Sequence, residues 1–163
     1  MANTVTRVRQ RPLDNDELTA WRAYTETATD LTAALETALS GHGLTMGDYQ
    51  VLVYLSEARE QAMRMCDLAE RLQLSPSGLT RRLDGLVQSG LVERVPSDLD
   101  RRVMLAQLTT EGLAKLDTAY PDHLASVRRY VIDRLDRADV VALGRIFSTI
   151  RAELDARCPT ARP

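Results

Sequence analysis

Residues 75–90 read Ser75-Pro76-Ser77-Gly78-Leu79-Thr80-Arg81-Arg82-Leu83-Asp84-Gly85-Leu86-Val87-Gln88-Ser89-Gly90, the best-marked helix in the chain. Ser75 can cap the helix and Pro76 fills its first position, where a missing N–H costs nothing. Leu74 can staple onto Leu79 from outside the cap. Leu79, Leu83, Leu86 and Val87 recur at helical spacing and form an inner face, and Gly90 falls where a left-handed residue ends a helix. The helix is predicted over about 76–89.

A short helix precedes it, Asp67-Leu68-Ala69-Glu70-Arg71-Leu72, burying Leu68, Ala69 and Leu72, with Gln73 and Leu74 as the tight connection. Two β-prone runs follow, Leu91–Val95 and Val103–Leu108, around the polar tip Pro96-Ser97-Asp98-Leu99-Asp100-Arg101-Arg102. Turn residues between two such runs predict a β-hairpin. Short helix, tight turn, capped helix and hairpin together are the order of a winged helix-turn-helix, whose second helix projects into a DNA major groove.

Upstream, Thr45 is placed to cap a helix reaching about Ala58, with Asp48 at the capping-box position and Leu44 able to pack on Tyr49. Arg59 to Met65 is polar and reads as a turn. Trp21, Tyr24, Ala28, Leu31, Leu35 and Ala38 alternate three and four apart, which predicts a long first helix ending near Gly41. Downstream, Thr109 caps a long helix with Pro121 inside it as a kink. A last helix starts near Asp136, and Val140, Leu143, Phe147, Ile150 and Leu154 give it the seam of a helix that packs on another helix. The expected fold is mainly α with a small β-hairpin wing. Residues 1–13 form a flexible arm, 44–109 the winged helix-turn-helix DNA-binding domain, and 14–43 with 110–158 a flanking helical dimerisation region.

Composition agrees with this class. The 163 residues are 44% hydrophobic and 27% charged, enough for a real core, and only 4% aromatic, so the core is built from aliphatic residues that suit helices. A net charge of -2 excludes indiscriminate coating of nucleic acid, although a local basic surface suffices to grip a duplex. Residues 71–102 supply one, with six arginines against four acids. Arginine accounts for all the basic residues except Lys115, an excess that codon bias would also produce. No stretch is apolar enough for a signal peptide or a membrane span, which places the chain in the cytoplasm. Cys66 and Cys158 are too far apart in sequence for a metal motif and make no disulfide framework.

On the recognition helix, Ser77, Gly78, Arg81 and Asp84 are expected to face outward with Arg82 on a flank. Small residues at Ser75, Ser77 and Gly78, with Thr80 behind them, let backbone N–H groups approach a phosphate or a base edge. Arg81 can then reach a base and Arg82 a phosphate. A solvated helix face would look similar on this segment alone. At the tip, Asp100 and Arg102 lie two apart, so the acid can brace the arginine for insertion into the minor groove, with Arg101 beside it.

The chain resembles the MarR (multiple antibiotic resistance regulator) family of bacterial repressors. The resemblance rests on Leu68-Ala69-Glu70-Arg71-Leu72, on residues 74–83, on Gly90-Leu91-Val92-Glu93-Arg94, and on Asp98-Leu99-Asp100-Arg101-Arg102 running into Leu108-Thr109-Thr110-Glu111-Gly112. It implies a homodimer built on the first, fifth and sixth helices, bound to a pseudo-palindromic double-stranded operator. It maps the family's wing Asp and Arg onto Asp100 and Arg102, and the recognition helix onto Ser75 to Ser89. It also implies repression relieved by a small aromatic or phenolic ligand, for which Trp21, Tyr24 and Tyr49 are the candidate contacts, against the plainer reading that they belong to the dimer core.

Other chemistries find less in the sequence. Cys66 is placed at a helix N-cap, where the dipole would favour a reactive thiolate, but a small tolerated residue is the simpler account. His42 and His123 have no metal-ligand spacing around them and read as surface or interhelix residues, so neither metal nor cofactor is expected. An enzyme would need a nucleophile with its base, or a phosphate-cradling loop, and neither is legible. The remaining alternative is a winged-helix protein-interaction module without specific DNA binding.

Overall fold

The computed structural model describes residues 11–157, with side chains to residue 154. Its first helix, α1 (Asn15–Ser40), starts where Asp14 and Glu17 exchange side-chain to backbone hydrogen bonds of 2.9 Å in both directions. The chain forms two compact units that divide between Ala34 and Leu35. In the first, Trp21 and Tyr24 lie one turn apart on α1 with ring centroids 5.7 Å from each other, both exposed. Residues 1–10 of the expected arm lie outside the described residues.

The second unit holds the winged helix-turn-helix. After α1 the chain turns through Gly43 at φ +67°, and the Leu44 N–H reaches back 3.2 Å to the Leu39 carbonyl, so the left-handed end is Gly43 and not Gly41. The capping box foreseen at Thr45 is formed: Thr45 Oγ1 accepts from the Asp48 N–H and Asp48 Oδ2 accepts from the Thr45 N–H, both at 3.1 Å. It opens α2 (Met46–Ser56). The helix α3 is Met65–Arg71 and α4 is Pro76–Gln88. Between them Gln73 takes φ +54°, with Gln73 N–H to Glu70 O and Leu74 N–H to Ala69 O closing the turn at 3.0 and 2.9 Å. A glycine signal was absent here, yet the turn is of the type glycine usually serves.

The segment read as a turn at Arg59–Met65 is a correction. A 3₁₀ turn at Arg59–Gln61 leads into a strand, β1 (Ala62–Arg64). It pairs antiparallel with β3 (Met104–Leu108), Met63 opposite Ala106, while β3 also pairs with β2 (Val92–Pro96), so the sheet order is β1-β3-β2. Three residues are too few for a periodicity to show, and this strand exists because β3 offers it an edge.

One core unites these elements. Leu39, Leu52 and Leu55 of α1 and α2, Leu68 of α3, Leu79, Leu83 and Leu86 of α4, and Val92, Ala106 and Leu108 of the sheet are all buried. Leu72 and Val87, predicted inward, are half-buried. The helix α5 (Thr110–Tyr130) closes the core with Leu116 and Ala119 and runs as a single helix through Pro121. Pro121 and Asp117, whose carbonyl would lose its usual amide partner, are both exposed. Thr109 ties α5 to the sheet: its hydroxyl accepts from the Gly112 N–H at 3.0 Å and donates to the Gly90 carbonyl at 2.7 Å. The last helix, α6 (Arg137–Arg157), leaves Phe147, Ile150 and Leu154 of the predicted seam exposed, with Val140 and Leu143 half-buried.

Candidate nucleic-acid interface

The start of α4 is built as the sequence predicts. Ser75 caps it by accepting from the Gly78 N–H at 3.1 Å. Ser77 Oγ lies 3.1 Å from that capping hydroxyl, and Thr80 Oγ1 donates back to the Pro76 carbonyl at 2.9 Å. Pro76 has no N–H and Gly78 has given its own to the cap. The Ser77 N–H is therefore the donor left open at the helix start among the described residues, in the region where the helix dipole favours an anion. Gly78 serves the cap as well as any ligand, because a Cβ there would come 3.2 Å from Ser75 Oγ.

The arginines sort into two groups. Arg81, Arg101 and Arg102 are exposed, and among the described residues no carboxylate lies within ion-pair distance of them. Arg82 and Arg94 are committed inside the domain. Arg82 Nη1 reaches Asp48 Oδ1 and Thr45 Oγ1, both at 3.2 Å. Arg94 of β2 donates through Nη2 to Asp84 Oδ1 at 2.7 Å and to the Thr80 carbonyl at 3.1 Å, joining the hairpin to α4. The expected outward face thus loses Asp84 to a strand partner. Neither partner was visible from spacing, since each lies ten or more residues away.

The tip also differs in detail from the sequence reading. Asp100 Oδ1 accepts the backbone N–H of Arg102 at 3.0 Å, and no ion pair joins the two side chains. The turn is closed further by Val103 N–H to the Asp100 carbonyl at 2.9 Å and Ser97 N–H to the Val103 carbonyl at 2.8 Å. A carboxylate fixing its own backbone two residues on shapes the loop that carries Arg101 and Arg102.

The other singled-out residues fall elsewhere. Tyr49 is only 5% exposed and its ring lies 4.5 Å from that of His123, so it is core; clefts of about 440 and 320 Å³ in the second unit do not include it. Burial, with Tyr120 nearby, pushes the Tyr49 phenol up. His42 Nε2 lies 2.8 Å from Asp122 Oδ2, and both histidines join helices to their neighbours. Cys66 is not an N-cap: α3 is capped at Arg64 without a side-chain bond, and Cys66 is exposed as the second residue of the helix, within its first turn. Its Sγ donates to Asp67 Oδ1 at 3.3 Å, and that bond, with some burial and the same carboxylate's charge, pushes the thiol up, against a reactive thiolate. Cys158 lies outside the described residues.

A sequence model of the MarR family matches residues 42–103, the span from the α1–α2 turn to the end of the tip. The structure resembles that of AbsC, a MarR family transcriptional regulator from Streptomyces coelicolor, at 39% identity over 90% of this chain and 99% of AbsC, with a TM-score of 0.87. Sco3205 of the same organism, a MarR family transcriptional regulator solved in complex with DNA, is 33% identical over 88% of this chain and 94% of its own, with a TM-score of 0.84. The Bacillus subtilis HTH-type transcriptional repressor YetL is 29% identical over 71% of each chain. With the capped α4, the three-stranded wing and near-complete coverage of a solved member, the chain belongs to the MarR family of transcriptional regulators.

Proposed function

We propose that this chain is a sequence-specific DNA-binding transcriptional regulator, not an enzyme, that binds a pseudo-palindromic operator as a homodimer in the cytoplasm. The observation that carries this reading is the placement of three exposed, unpaired arginines, Arg81 on α4 and Arg101 and Arg102 on the wing tip, while the other two arginines of α4 and the wing, Arg82 and Arg94, are internally paired. Sco3205, one third identical, is a relative solved on DNA. In this reading α4 enters the major groove with Ser75, Ser77, Gly78 and Thr80 at the backbone and Arg81 at a base, and the wing carries Arg101 and Arg102 to the adjacent minor groove. A pure protein-interaction module gives no reason to keep those charges free.

Exposed apolar surface supports dimerisation. Ile146, Phe147, Ile150 and Leu154 on α6, with Tyr120, Leu124 and Tyr130 on α5, are each at least 39% exposed, more than an ordinary monomer leaves in water. Residues 14–43 and 110–158 form the dimerisation region in this reading. YetL is a repressor by name, which supports repression, with release by a small aromatic or phenolic ligand. Trp21 and Tyr24, exposed and adjacent, suit such a ligand better than the buried Tyr49.

Titrating the chain's own upstream duplex against a random duplex tests the reading. Arg81→Ala is expected to lower the ratio of specific to nonspecific affinity by about 1–3 kcal/mol, roughly five- to 150-fold. An unchanged ratio removes Arg81 from the base edge. A wild-type protein with no preference for its upstream DNA, or one that sediments as a folded monomer at micromolar concentration, overturns the proposal.

A further inference from the structure

We propose that Arg82 is a positioning residue for DNA reading, holding the roll of the recognition helix by docking into the capping box of α2, and that it does not contact a phosphate. The inference rests on the DNA-binding reading above. Three observations converge on it. The Arg82 side chain is 31% exposed and its Nη1 donates to both Thr45 Oγ1 and Asp48 Oδ1 at 3.2 Å, the two side chains that cap α2. Asp48 is occupied on both oxygens, Oδ2 by the Thr45 N–H and hydroxyl and Oδ1 by Arg82. The guanidinium lies against Gly47, where an added Cβ would fall 2.2 Å from Nη1 and 2.3 Å from Cζ. A glycine two residues after the N-cap is what gives the arginine its seat.

Geometry explains why such a latch matters. Leu79, Leu83 and Leu86 hold α4 to the core, but apolar contacts are non-directional and resist rotation about the helix axis weakly. At about 100° per residue, Thr80 and Asp84 lie on one flank of α4, Arg82 on the other, and Arg81 between them opposite the leucines. Arg94 from β2 clamps the first flank through the Thr80 carbonyl and Asp84, while Arg82 clamps the second through α2. A roll of about 10° moves a group at the helix rim, roughly 5–6 Å from the axis, by about 1 Å. That is enough to break a two-pronged hydrogen bond to a base. The start of α2 is in turn tied to α1, because Glu36 Oε2 accepts the Met46 N–H at 3.0 Å, so the second clamp is anchored on the helix that leads into the cap.

Gly47→Ala separates positioning from phosphate contact, since it evicts Arg82 from its seat while leaving every charge in the chain unchanged. A latch predicts that Gly47→Ala and Arg82→Ala each lower the ratio of operator to random-duplex affinity by about fivefold, the worth of a good partly exposed ion pair. The double variant should be no worse than the poorer single one, because the seat has no value once its occupant is gone. A phosphate-contacting Arg82 predicts the reverse, with eviction leaving binding unchanged or tighter and Arg82→Ala weakening operator and random duplex alike. Thermal melts of the same four proteins test the latch without DNA. Gly47→Ala should raise Tm more in the Arg82→Ala background than in the wild type, since only the wild type has an ion pair to lose. Equal Tm changes in the two backgrounds overturn the latch even if DNA binding is confirmed. A cooperative Tm cycle in a protein that binds no operator would keep the latch as an internal contact and overturn the DNA-binding reading.

Discussion

Asp100→Asn is expected to tighten DNA binding, and Asp100→Ala to forfeit that gain. The carboxylate accepts the Arg102 backbone N–H at 3.0 Å and so holds the turn, while its charge stands beside two arginines that are proposed to meet a polyanion. Asparagine keeps an oxygen at the same place and drops the charge, whereas alanine drops both. An exposed hydrogen bond of this kind contributes about 0.5–1.5 kcal/mol, the lower half applying where water competes. A carboxylate roughly 8 Å from a phosphate in water repels it by about 0.5 kcal/mol, less as salt rises. Asp100→Asn should therefore tighten operator binding about twofold at low salt, an advantage that fades as salt is added. Asp100→Ala gains the same charge relief but loses the turn, and should bind more weakly than asparagine by about two- to fivefold at every salt concentration. Fluorescence anisotropy on one operator duplex at two salt concentrations, with a melt to confirm folding, measures all three proteins. Equal affinities for the alanine and asparagine variants would refute the idea that the Asp100 oxygen shapes the wing.

Gly112→Ala, in the first turn of α5, should destabilise the fold although alanine favours a helix by about 1 kcal/mol, because its Cβ would sit 2.0 Å from the Leu91 carbonyl oxygen. Overpacking against backbone costs about 1–3 kcal/mol or more, so the clash wins; Gly85→Ala, with nothing within 4 Å, should gain about 0.5–1 kcal/mol, and urea melts giving both the same sign would overturn this. His123 packs tilted against Tyr49 with Nδ1 buried and unpartnered, and burial pushes its pKa down from 6.5. The unfolded chain then takes up a proton that the folded one resists, so this contribution is complete above pH 6.5 and is lost as the pH falls through and below it. Melts from pH 7.5 to 5 should show the wild type losing more stability than His123→Phe, and parallel pH profiles would count against it.

The parts of this fold legible in the sequence are those whose partners lie within about four residues. Ser75 with Gly78, Thr45 with Asp48 and Thr109 with Gly112 each close a hydrogen bond inside one helical turn, and all three caps form where the residues predict them. The hairpin is nearly as local. What escapes is whatever closes a long loop. The strand β1 is three residues whose register is set by Ala106, more than forty residues away, and Gln73 adopts a left-handed turn that its residue type does not advertise. Arg82 and Arg94 look in sequence like any exposed arginines, and their partners lie thirty-four and ten residues away.

The same distinction governs how the DNA-reading surface must be assigned. Six arginines between 71 and 102 suggest a broadly basic face, but a cation paired with a carboxylate has little counterion to release and adds little to the salt dependence of binding. On α4 and the wing, Arg82 and Arg94 are neutralised by Asp48 and Asp84; Arg71, on α3, keeps its charge while its guanidinium lies over the Tyr54 ring, 5.3 Å from the centroid. Arg81, Arg101 and Arg102 remain, one on the helix and two on the wing. In the proposed dimer these three free charges per protomer, six in all, would set the part of the salt slope that the two elements can supply. In the proposed reading the paired arginines act on affinity through the angle at which the free ones are presented. Substituting a paired arginine should therefore change discrimination more than salt dependence, and substituting a free one should change both.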